Sequence, residues 1–310
     1  MEVPFYDSGL IPAVPNVSHG YRNFWIRDGW YVGICSNSID RQRIWNGIIN
    51  ILDKYKWKLE IHANQPPVHW YEYFHVRFSP SGDEIQNEHW LHNQFDAIAN
   101  AGEVCLDQGR FDLADLIIDY LKTCQVHRNP AAGMYEDRNT LDAYTLASCL
   151  HFLRRAWSTL TDKKQQIAEL ADAVEESLDR LLPYATASNT VCLSLLGVIW
   201  PFDVLQKHHD RILDLVNTDL RREPFGFIRY RGDCYDGEHF NRGEGTEVPW
   251  LLGDCFMSKI QPNNPLWKNR LKEAYRTFKC MPEAFFPETM KPNRNTPLIW
   301  AESLYKDLFN

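Results

Sequence analysis

The chain has 310 residues, 44% of them apolar and 24% charged, with a formal net charge of −8 at pH 7. That is enough chain to bury a sizeable core, and an acidic balance with no Lys/Arg run excludes nucleic acid and anionic membrane surfaces as expected partners. A neutral ligand suits this balance better.

The first residues, MEVPFYDSGLIPAVP, carry acidic rather than basic side chains, so no signal peptide is expected and the protein is read as cytoplasmic. Next comes YRNFWIRDGWYVG (21–33), in which five aromatic residues enclose the Arg27-Asp28 pair. That pattern is either a helix start capped by Asp28 or a polar clamp on an aromatic floor. Helical spacing follows in residues 29–57 (Ile44, Ile48, Ile49, Leu52) and again in 88–109 (Trp90, Phe95, Ile98, Val104). Further amphipathic or buried-helix patterns run through RFDLADLIIDYLKTCQVH, NTLDAYTLASCLHFLRRAWSTL, KKQQIAELADAVEESLDRLL and TVCLSLLGVIW. PFDVLQKHHDRILDLVNTDL, VPWLLGDCFMSKI, NPLWKNRLKEAYRTF and TPLIWAESLYKDLF complete the series. This amounts to about ten helices bounded by Pro, Gly, Asn or Asp. No stretch of about 18 apolar residues occurs, so no membrane span is expected. Eight cysteines are scattered without a CxxC pair, as small buried thiols are, and no disulfide framework, zinc site, other metal site or cofactor is expected.

Three connections are long and aromatic or charged: residues 62–86, 221–247 and 280–295. Long loops in a compact domain are usually functional. The predicted fold is therefore a single all-α domain over 1–310, helix pairs closed into an (α/α) toroid with these loops over one site.

Two segments bear acids suited to chemistry. In NPAAGMYEDRNTLDAY, Glu136 and Asp137 stand between Met134-Tyr135 and a helix start predicted at Asn139. They are either a solvated cap or a proton donor, since a carboxyl beside a ring and a second acid has its charged form disfavoured. In CMPEAFFPETMKPNRNTPLIWAESLY, Glu283 lies in an apolar, proline-stiffened loop and is either an exposed loop acid or a buried one, costly without partners or a job. Glycosidic bond cleavage requires such a pair, one acid to protonate the leaving oxygen and an opposed carboxylate to activate water.

Together these segments resemble glycoside hydrolase family 15, the glucoamylase-like enzymes, and the related domains of phosphorylase kinase α and β subunits. YRNFWIRDGWYVG resembles that family's Y-R-x-x-W-x-R-D-G-x-Y, GMYEDR its G-x-W-E-E, and MPEAFFP its L-P-E-x-x-x-x-P loop. HNQFDAI is similar to K-Q-N-D-A-I, FGFIRYRGDCY to G-x-x-R-Y-x-x-D-x-Y, and NTPLIWAESLY to the closing T-P-L-x-W-x-x-S/A helix. These matches run in the family's order from Pro12 to Leu308. The resemblance implies an (α/α)6 barrel and an exo-acting, inverting α-glycosidase on α-glucosides or glucan ends, with an oligosaccharide or small glycoside as partner. It makes Glu136 the general acid and Glu283 the general base. Arg27 and Asp28 match the pair that grips sugar hydroxyls, Arg229 a pocket arginine, and Trp25, Tyr135 and Trp300 stacking surfaces. Asp137 stands where the family has Glu, and Tyr135 where it has Trp. No counterpart of the N-terminal β-rich domain of many prokaryotic relatives is expected. Glu238, Glu244 and Glu247 make one loop more charged than its family counterpart, which suits a substrate bearing an amino group.

Two rivals follow from the same residues. One is a non-catalytic carbohydrate-sensing domain of the phosphorylase kinase type. The other is sugar epimerisation on a toroid by His62, His69 or His75. Elsewhere, His89 and His92 at helical spacing suggest either metal ligands or a solvated face. His208 and His209 are adjacent and cannot share a helix face.

Overall fold

A computed structural model describes residues 2–15 and 17–309. Six of its helices form an inner ring: α1 (Ile26–Ile34), α4 (Phe95–Asp107), α6 (Ala143–Thr159), α8 (Leu196–Ile199), α10 (Leu252–Ile260) and α12 (Ile299–Phe309). Each packs on the next, and α12 packs back on α1 to close the ring. An outer layer consists of α2 (Ser38–Lys54), α3 (Lys56–His62), α5 (Phe111–Thr123), α7 (Lys164–Leu181), α9 (His209–Asp219) and α11 (Pro265–Phe278). There α2, α5, α7, α9 and α11 back α1, α4, α6, α8 and α10, and α3 lies against α5. This is the all-α toroid the sequence predicts.

The two layers differ as their sequences do. Inner α4 is buried at every residue from Phe95 to Leu106, because it faces helices on both sides. Outer α7 buries one stripe (Ile167, Leu170, Val174, Ser177, Leu178, Leu181) and keeps its charges in water. Ring closure also needs close helix approach. A Cβ at Gly102 of α4 would meet the Phe152 ring of α6 at 2.5 Å, so only glycine fits there.

Some predicted boundaries move. Residues 29–57 divide into three helices, the first break being fixed by Asn37, whose side chain accepts from the N–H groups of Ile39 and Asp40. α4 begins at Phe95 rather than residue 88, and α6 at Ala143 rather than Asn139. The Asp142 side chain caps α6 by accepting from the N–H of Thr145 at 3.0 Å. Thr140 is meanwhile bridged to Ala131 through both backbone bonds, which keeps the Glu136 loop out of the helix.

Two short antiparallel ribbons shape the loops. β1 (Phe24–Trp25) pairs with β2 (Arg77–Phe78), and β3 (Phe285–Phe286) with β4 (Lys291–Pro292). No described helix is long and apolar enough to cross a membrane. All eight cysteines are free, and Cys105, Cys124, Cys149, Cys192 and Cys255 are buried.

Candidate active site

Loops leading into several inner helices meet around a cavity of about 570 Å³. Its lining includes Trp25, Arg27, Asp28, Tyr135, Glu136, Asp137, Arg229, Glu283 and Trp300, so residues far apart in the chain face one space. Asp28 does not cap α1: the helix begins at Ile26 with no side-chain cap, and the carboxyl of Asp28 lies in its first turn against the cavity.

One lining acid is Glu136. Its φ of 59° is left-handed, a costly backbone for a residue other than glycine and one found where a site must aim a side chain. Glu136 Oε1 accepts from Arg27 Nη2 at 2.7 Å, while Arg27 Nη1 donates to Asp96 Oδ2 at 2.8 Å and to the Gly133 carbonyl at 3.2 Å. Gln94 Oε1 lies 3.4 Å from Nη2. The guanidinium tips are thus held by protein, and donation to a ligand requires exchange of one of these partners. Burial raises the pKa of Glu136 above the ordinary carboxylate range, and Arg27 and Arg77 pull against it. Beside it, Asp137 Oδ2 accepts from the Tyr230 hydroxyl at 2.5 Å and pairs with Arg229 Nη2 at 3.3 Å.

A different set of groups surrounds Glu283, which is 3% exposed. Oε1 accepts from the Tyr21 hydroxyl at 2.6 Å, and Oε2 from the side-chain amides of Asn293 at 2.8 Å and Asn295 at 2.6 Å. The β3–β4 ribbon makes this arrangement by placing Glu283 before one strand and both asparagines after the other. Gly237, at φ +96°, lets the backbone approach: a Cβ there would lie 1.9 Å from Asn293 Nδ2. Burial pushes Glu283 up, and the three neutral donors oppose that shift.

Asp28 is pushed up to about 7 by burial, against the nearby Arg27. Among the described residues no side chain hydrogen-bonds its carboxyl. Arg229 is fixed by a two-pronged pair with Asp233, both contacts 2.6 Å, and lies over the rings of Tyr135, Tyr235 and Trp250. Trp300 stacks on Tyr31 at 4.3 Å between centroids.

The ring recurs in solved structures. A glycosidase variant in complex with glucose matches with a TM-score of 0.80 and 16% identity over 97% of this chain and 91% of its own. A glucoamylase from Saccharomycopsis fibuligera matches with 0.72 and 11% over 98% and 89%. A bacterial glucoamylase complexed with acarbose matches with 0.69 and 14% over 97% of this chain and 52% of that one. The chain has a glucoamylase-like six-hairpin fold. No protein-family model and no curated protein matches its sequence.

In this glucoamylase-like setting His89 lines the cavity, but the three histidines of the epimerisation reading fall elsewhere. His62, His69 and His75 are absent from the cavity lining. His75 is fully buried and stacks on His92 at 4.0 Å, and residues 88–94 are not helical, so His89 and His92 do not share a helix face. Among the described residues no group of three or more His, Cys, Asp or Glu is placed to hold a metal ion. Of the acids in the charged loop, Glu238 pairs with Arg294 at 3.0 Å, Glu247 accepts from the N–H groups of Gly232 and Gly245, and Glu244 is exposed. Two of the three are therefore already engaged by protein.

Sequence reasoning assigns Tyr21, Tyr235, Trp90, Asp96, Asp233, Asn293 and Asn295 no place in this site, Trp90 being read as part of a helix pattern. Tyr21 opens the aromatic segment, and both asparagines lie in KPNRNTP, a proline-stiffened stretch next to the Glu283 loop. Amides confined that way were the available signal.

Proposed function

We propose that the protein is an exo-acting, inverting α-glycosidase that releases glucose or a related hexose from α-glucosides or glucan ends. The observation that carries this reading is that Glu136 and Glu283 line the same cavity, in the fold of glycosidases. Structures of that fold have been obtained with glucose and with acarbose, which favours a carbohydrate ligand here.

In the proposed reaction protonated Glu136 gives its proton to the glycosidic oxygen as the C1–O bond breaks, its electron pair leaving with that oxygen. Water attacks C1 from the opposite face and loses a proton to Glu283 Oε1, and the new bond inverts the anomeric centre. Oε2 already takes two amide donors, so Oε1 is the basic atom. Asp28 accepts from sugar hydroxyls, and the rings of Tyr135 and Trp300 cover the C–H face. Arg229, set by Asp233, lines the pocket. Asp137 acts through Arg229 and Tyr230, which hold its carboxylate. Clamps on remote hydroxyls convert binding into orientation.

The test is a panel of α-glucosides, maltooligosaccharides and aminoglycosides, read both as melting-temperature shift and as reducing sugar released. Release from a neutral α-glucoside is expected. Stabilisation without release would replace this reading with a carbohydrate-sensing domain.

A further inference from the structure

We propose that Asp96 is a positioning residue that keeps Glu136 able to carry a proton by neutralising the arginine between them, an inference that rests on Glu136 being the general acid. Arg27, from α1, divides its guanidinium between two carboxylates: Nη1 meets Asp96 at 2.8 Å and Nη2 meets Glu136 at 2.7 Å. A cation in direct contact favours the ionised form of an acid, which is the wrong form for a proton donor. What decides the outcome is the charge of the whole buried group.

Asp96 is the second residue of inner helix α4 and is fully buried, with Oδ1 lacking a hydrogen-bond partner. Arg27 is the one side chain among the described residues that bonds its carboxylate. The N–H groups of the first turn of α4 favour negative charge there. Glu136 is on a loop, without that support, and its side chain is 11% exposed to the cavity. With Asp96 ionised, the three side chains sum to zero when Glu136 is protonated and to −1 when it is not. With Asn at 96 they sum to +1 and zero. A buried group disfavours net charge, so the substitution exchanges which form of Glu136 is favoured.

Other charged or titratable groups bearing on this set are Asp28 on α1, Arg77 on β2, Tyr144 on α6 and Asp142 at its cap. None of them hydrogen-bonds Asp96 or Glu136, and Asp96→Asn leaves all four in place. The same exchange would not follow if Asp96 served only to pack α4 against α1.

The experiment compares wild type with Asp96→Asn in the full chain, recording kcat and KM against pH on two probes. One is an α-glucoside that needs its leaving group protonated. The other is α-glucosyl fluoride, whose leaving group departs as fluoride without a proton. The expected result on the glucoside is a basic limb moved down by about one pH unit or more, with the loss in kcat rather than KM. On the fluoride, activity stays within about threefold, since proton donation is not required. An unmoved basic limb, or equal loss on both probes in a folded variant, overturns the proposal. Should Asp96→Asn not fold, the comparison is repeated on an Arg27→Gln background. There Asp96 faces Glu136 without a cation, so adding Asp96→Asn again lowers the basic limb, and equal limbs overturn the inference. Glu136→Gln is run alongside. If that variant keeps both its activity on the glucoside and its basic limb, the general-acid reading itself has failed, a result separate from failure of the Asp96 coupling.

Discussion

Two glutamates of the cavity, Glu136 and Glu283, are the same residue in opposite company. Glu136 sits on a loop with strained backbone, against an arginine whose charge is shared with a buried aspartate. Glu283 is clasped by a tyrosine hydroxyl and two amides, all neutral and all donating. Burial raises both, yet the largest opposing influences differ in kind: the charges of Arg27 and Arg77 at Glu136, hydrogen bonds at Glu283. Charge acts over distance and can be balanced by a third group, as Asp96 does through Arg27. Neutral donors act at contact, stabilise an anion and fix its direction. A cavity that needs one carboxyl protonated and the other ionised can obtain both from these two environments.

The largest effects should come from removing either carboxyl. Glu136→Gln and Glu283→Gln are each expected to lower turnover by about 10²–10⁴-fold, the usual contribution of a positioned acid or base, with unchanged far-UV circular dichroism. Wild-type turnover in either variant would strike that residue from its role. Tyr21→Phe and Asn295→Ala address the neutral donors and are expected to cost about tenfold each, roughly what a hydrogen bond to a charged group contributes. Both remove a donor from the Glu283 anion, so its pKa rises and the acidic limb of the pH–rate profile moves to higher pH. A limb displaced downward, or fixed, would mean that these groups do not serve an ionised Glu283.

Asp28 provides a stability readout. Its folded pKa, about 7, lies above the ordinary 3.8, so folding favours the protonated form. The stability this gives is fully present below about pH 4 and is lost as pH rises through about 7. Asp28→Asn is therefore expected to melt a few degrees above wild type at pH 8 and level with it at pH 4, while losing activity. Wild type melting higher at pH 8 would show that the ionised carboxylate has partners. The smallest effect belongs to the rim pair Glu238–Arg294, half exposed on both sides. Neutralising either should change kcat/KM by no more than about fivefold, in line with 0–1 kcal/mol for surface pairs. A larger change on a cationic substrate would mark that rim as a specificity element.

The ring was legible because helical periodicity survives in single segments and the motif-bearing loops follow one another in the family's order. The acids, the Arg27-Asp28 pair and the closing tryptophan stood out as charges and rings in apolar or proline-stiffened surroundings. Asp96, Asn293 and Asn295 did not, since each is an ordinary polar residue whose importance comes from a partner more than eight positions away. Boundaries failed where a local bond overrode periodicity. His92 Nε2 bonds the Asn87 carbonyl at 2.8 Å, and Trp90 lies under the Arg77 guanidinium at 4.0 Å, so residues 88–94 stay out of the helix and His89, Trp90 and Leu91 line the cavity. The double bridge of Ala131 with Thr140 likewise delays α6 and leaves Glu136 free to turn inward.

The most direct measurement of an acid and a base working across one cavity is the configuration of the sugar at the instant of release. Proton NMR during the first minutes of α-glucoside hydrolysis should show the β-anomer ahead of its equilibrium share, decaying towards it by mutarotation. Early appearance of the α-anomer would contradict water attack assisted by Glu283 opposite a proton donated by Glu136.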